Sequence, residues 1–82
     1  MLDSRERLAR QITPGMDVCD VSGEKVGSVA GVGDVVEVKT GLFGLGKRLY
    51  VPPGEIDGIT QAGVILKHAK YEFHEVGLDA RP

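Results

Sequence analysis

Gly23-Glu24-Lys25-Val26-Gly27-Ser28-Val29-Ala30-Gly31-Val32-Gly33-Asp34-Val35-Val36-Glu37-Val38-Lys39 is the stretch whose reading decides the fold. Val36 and Val38 alternate with Glu37 and Lys39, the period-two pattern of a strand with one wet face. Upstream, Lys25 to Val32 also reads as a strand, but its apolar phase slips between Val26 and Val29, with Gly27 in the gap. A slip beside a glycine predicts a bulge or a sharp bend. Ser22-Gly23-Glu24 and Gly33-Asp34 supply turns on either side.

Working outward, Met16 to Val21 alternates, with Met16 and Val18 on one face and Asp17 and Cys19 on the other. Pro14-Gly15 marks the turn before it. Residues 1–11 form a charged extension in which Asp3 and Glu6 are placed to cap a short helix, marginal by itself. Downstream, Thr40 to Lys47 is a glycine-rich loop. Arg48 to Pro52 reads as a fourth strand, with Leu49 and Val51 on one side, Tyr50 on the other, and Pro52-Pro53-Gly54 as its stop. Glu55-Ile56-Asp57 reads as a single helical turn that puts Ile56 in the core. Gly58 to Thr60 and Val64 to Leu66 are short strands. From His68 the period changes: Ala69, Phe73 and Val76 stand at i, i+4 and i+7, and Gly77 follows, which predicts a short C-terminal helix. The expected fold is therefore all-β: about six short strands in a small barrel or sandwich, the barrel having the advantage that closure removes sheet edges, formed by residues 12–82 behind the extension.

Composition narrows the function. The chain has 82 residues, room for one core only. Twelve glycines fit a chain of many tight turns. Ten basic against twelve acidic residues leave a net charge of −2, without the basic excess of a dedicated nucleic-acid binder. Two Phe, two Tyr and no Trp are too few for a base-stacking platform. Cys19 is the single cysteine and reads as a small buried hydrophobe in a reducing, cytoplasmic protein. No apolar run is long enough to span a bilayer.

No motif carries catalysis. Gly41 to Lys47 matches the phosphate-cradling G-x-x-x-x-G-K pattern, but Arg48 stands where Ser or Thr is needed, and the two prolines that follow forbid the required helix. His68 and His74 lie six residues apart, on different faces of a helix, with no further metal ligand at recognisable spacing. Asp17, Asp20 and Glu24 read as solvated carboxylates near a turn, with no calcium-loop pattern. No nucleophile with an activating base is apparent. No catalytic residue, cofactor or metal is expected.

Taken together, Ile12-x-Pro14-Gly15-Met16-x-Val18, Gly23-x-x-Val26-Gly27-x-Val29, Tyr50-Val51-Pro52 with Ile56, Val64-x-Leu66 and the closing Gly77-Leu78-Asp79-Ala80-Arg81-Pro82 resemble the PRC-barrel domains. The likeness runs from about residue 12 to the end. It departs at Leu78, where such tails often carry Trp, and in an apolar 41–46 loop. The resemblance implies a small adaptor barrel; relatives contact protein in photosynthetic reaction centres and in a ribosome-maturation factor. The residues expected to meet a partner protein, or a second copy in a homo-oligomer, are Leu42, Phe43 and Leu45 at the loop tip, with Lys47, Arg48 and Tyr50 as a polar rim. The other reading of the tip is that it folds back over an open barrel end. The alternative function is an RNA- or ribosome-associated factor using Arg5, Arg7, Arg10, Lys47 and Arg48, disfavoured by the acidic balance.

Overall fold

The computed structural model describes residues 10–41 and 46–80. Six strands are present: β1 (Asp17–Cys19), β2 (Lys25–Val32), β3 (Val36–Thr40), β4 (Arg48–Val51), β5 (Ile56–Thr60) and β6 (Gly63–Leu66). They form one sheet in the order β4-β3-β2-β1-β6-β5. All neighbours pair antiparallel except β1 and β6, which are parallel.

The connection from β4 to β5 forces this sheet to curl. β4 and β5 are its two edges, yet only Pro52 to Glu55 separate them. Six flat strands would put the edges roughly 24 Å apart, whereas five Cα steps reach at most about 17 Å. The sheet answers by rolling into a half-barrel. A 3-10 turn at Pro53–Glu55 makes the connection, and Ile56, expected in that turn, instead opens β5 and is buried.

The predicted slip in β2 is real and has a simple cause. Val18 pairs with Gly27 and Cys19 with Lys25, so Val26 is an extra residue on β2. That bulge lets Val26 and Val29 both point inward despite their odd spacing. A second irregularity leaves Ala30 unpaired against β3, after which Val32 faces solvent. Gly27 lies so close to β3 that a Cβ there would run into the Lys39 carbonyl. Gly63, at φ +117, opens β6 against the Asp17 backbone, where a side chain would have neither room nor an easy conformation.

Every strand contributes to one core: Val18, Val26 and Val29, Val36 and Val38, Leu49 and Val51, Ile56, Val64 and Leu66. Ile12 joins from the N-terminal side, and Phe73 and Leu78 from the C-terminal side. Full burial of each such side chain is worth about 1.5–3 kcal/mol. Cys19 is buried and free, in keeping with its reading as a small hydrophobe.

The C-terminal segment departs from expectation. A 3-10 turn at Lys70–Glu72 and a series of turns replace the short helix. Ala69 and Phe73 are buried, but Val76, the third residue of the expected face, is 39% exposed. The segment is held by tertiary bonds instead: Lys70 N–H donates to the Asp20 carboxylate, and Tyr50 N–H donates to Leu78 O. Those contacts fix a path that a regular helix does not follow.

Candidate functional site at the edge of β4

Between the base of the β3–β4 hairpin and the C-terminal segment lies an open groove of about 420 Å³. Its floor is apolar, made by Val26, Leu49 and Phe73. Its rim is polar, made by Thr40, Lys47, Lys70, His74 and Asp79. Concave sites of this size, with an apolar bed and a few convergent polar groups, are the usual form of a binding site.

The hairpin base is built locally. Gly46 N–H donates to Thr40 O at 2.8 Å, and the Thr40 hydroxyl donates to Lys47 O. This clamp presents the Lys47 side chain to the groove. Across it, Asp79 Oδ2 lies 3.2 Å from Lys47 Nζ and 2.7 Å from His74 Nδ1. The His74 hydrogen bond holds the Asp79 carboxyl below its ordinary range; burial opposes this, and Lys47 adds to the lowering. The clasp joins residues 32 apart in sequence.

The floor residue Phe73 is positioned from behind by Asp20. This carboxylate was expected to be solvated, yet Asp20 is 2% exposed. Oδ1 accepts from Ser22 N–H at 2.9 Å, Ser22 Oγ–H at 2.6 Å and Glu24 N–H at 3.0 Å, and Oδ2 accepts from Lys70 N–H at 2.9 Å. One side chain thus closes the β1–β2 turn and pins the start of the segment that carries Phe73. The hydrogen bond from Ser22 is the largest cause of a lowered Asp20 pKa, opposed by burial and reinforced by the N–H groups of Lys70, Glu24 and Ser22. Asp17 of the same cluster pairs with Lys25 at 3.2 Å on the surface.

No family model, curated protein or solved structure matches the chain.

Of the residues expected to meet a partner, Leu42, Phe43 and Leu45 lie outside the described residues. Lys47 lines the groove. Arg48 and Tyr50 point to the outer face, since Leu49 and Val51 between and beyond them are buried. Tyr50 borders another, smaller depression of about 300 Å³ with Val35, Pro52, Val76 and Leu78. Asp79, Lys70 and Phe73 were not singled out as site residues, because only the fold brings them to Lys47. His68 places Nδ1 2.7 Å from Glu55 Oε2, beside the β4–β5 connection, whereas His74 pairs with Asp79. No group of three potential metal ligands exists among the described residues, and no helix among them is long and apolar enough to cross a membrane.

Proposed function

We propose that this chain is a non-enzymatic protein-interaction module, an adaptor or self-assembling domain of PRC-barrel type acting in the cytoplasm. The observation that carries the reading is the groove itself. It has an apolar floor of Val26, Leu49 and Phe73 and a charged rim of Lys47, Lys70, His74 and Asp79. An apolar bed ringed by polar groups is the anatomy of an interface. The resemblance of residues 12–82 to adaptor barrels supports the same reading.

The test is site-specific photo-crosslinking in the native host. A photoreactive phenylalanine replaces His74, an exposed rim residue, or, as a control, Gln61 in the β5–β6 turn. The expected result is a crosslink from position 74 to one defined protein, or to a second copy, with none from position 61. Equal background at both positions would sink the proposal.

A further inference from the structure

We infer that the β4 edge beside the groove takes an extended acidic–apolar segment of a partner protein as an added strand. The inference deepens the interaction reading and rests on it. Its first support is the backbone. Tyr50 N–H points away from β3, since it donates to Leu78 O at 2.7 Å. β4 pairs with β3 without a bulge, so Arg48, two residues earlier, also turns its N–H and C=O outward. Lys47 and Leu49, its chain neighbours, both line the groove. No backbone partner meets Arg48 N–H on that side among the described residues. An open pair of backbone groups at a sheet edge is a template for strand addition.

The second support is charge. Lys39 lies directly opposite Arg48. With the Arg48 backbone turned outward this is a non-hydrogen-bonded pair, in which side chains approach most closely. Like charges in that position are destabilising. Neither side chain has an ion pair among the described residues. The nearest acid on that face, Glu37, leans the other way, over Gly31 of β2. Lys70, on the groove rim, is likewise without an ion pair among the described residues. Asp79 is already shared between Lys47 and His74.

The two supports specify the partner's pattern. In a strand added at Arg48, side chains alternate between faces. Those on the outer face meet Lys39 and Arg48 and should be carboxylates. Those on the inner face lie over Leu49 and Phe73 and should be apolar. The recognised segment is therefore a short acidic–apolar–acidic run.

The ¹⁵N-labelled full chain tests this by NMR titration with a capped Thr-Glu-Leu-Glu-Val-Thr peptide. Its Gln-for-Glu counterpart, octanoate and a short single-stranded RNA are parallel arms. The acidic peptide should shift the amides of Arg48, Leu49 and Phe73. The Gln peptide should bind roughly five-fold more weakly, the scale of exposed ion pairs, and R48E should abolish that preference. Arg48 is exposed, so the variant's own spectrum reports that the fold persists. Equal affinity for both peptides, no Arg48 shift at the solubility limit, or tighter binding of octanoate or RNA overturns the inference. A crosslinked partner at position 74 with no peptide response removes only this partner class and leaves the interaction reading standing.

Discussion

A single aspartate ties the β1–β2 turn to the C-terminal segment. Asp20 accepts hydrogen bonds from three donors in its own turn and one from Lys70, 50 residues later. Its lowered pKa means that the folded chain prefers the carboxylate more than the unfolded chain does. The stabilisation is therefore complete above the unfolded pKa, near 4, and is lost as pH falls through the lower folded value. D20N keeps an acceptor for Ser22 and Glu24, but turns an amide donor toward Lys70 N–H or leaves that N–H without its partner. Urea denaturation at neutral pH should show a loss of about 1.5–3 kcal/mol, the worth of a hydrogen bond to a charged group. The same titration repeated down to acid should show a shallower decline for D20N than for wild type. Parallel pH profiles would mean that Asp20 is not a source of the acid sensitivity. The residue was legible as part of a turn, because Asp, Ser and Gly cluster there. Its burial was not, because the fourth donor comes from a residue 50 positions away.

At the scale of elements, the C-terminal segment is the piece the sequence pattern misassigned and the one that shapes the site. Ala69 and Phe73 do reach the core, so the i, i+4 spacing was informative. It failed at Val76, where the chain leaves helical geometry and Leu78, 2% exposed, becomes the second anchor. Leu78 also covers part of the β4 edge through its carbonyl. L78A should cost about 2–4 kcal/mol, the usual range for truncating a buried leucine. Its distinctive effect is local. Hydrogen exchange should show the Tyr50 amide losing protection before the amides of the β2–β3 ladder do. Unchanged protection at Tyr50 would show that the segment is not held by Leu78. The β2 strand shows the opposite outcome: its bounds and irregularity were readable, because a bulge leaves its trace directly in the spacing of Val26 and Val29.

On the scale of the whole molecule, one cluster links all six strands to Ile12 before them in the chain and to Phe73 and Leu78 after them. No subset of strands has a core of its own, so unfolding should be a single cooperative transition. Tyr71 is 86% exposed and Tyr50 is half-buried in β4, so a change in tyrosine fluorescence on unfolding should arise mainly from Tyr50. Fluorescence and far-ultraviolet circular dichroism should give coincident urea midpoints; separated midpoints would contradict a single core. The sequence by itself determined the all-β class, the number of strands and most of their bounds. Those features rest on alternation, β-branching and turn chemistry, which act between residues near in the chain. The tertiary structure alone decided the strand order, the parallel pairing of β1 with β6, and the groove. The four-residue connection between edge strands acquires its meaning only once the strand order is known. Lys47, Phe73 and Asp79 meet only because the curled sheet and the C-terminal segment converge on the same end of β4. Contacts between residues so far apart leave no periodic mark in the chain, and the physical reason is that each depends on where the intervening strands are packed.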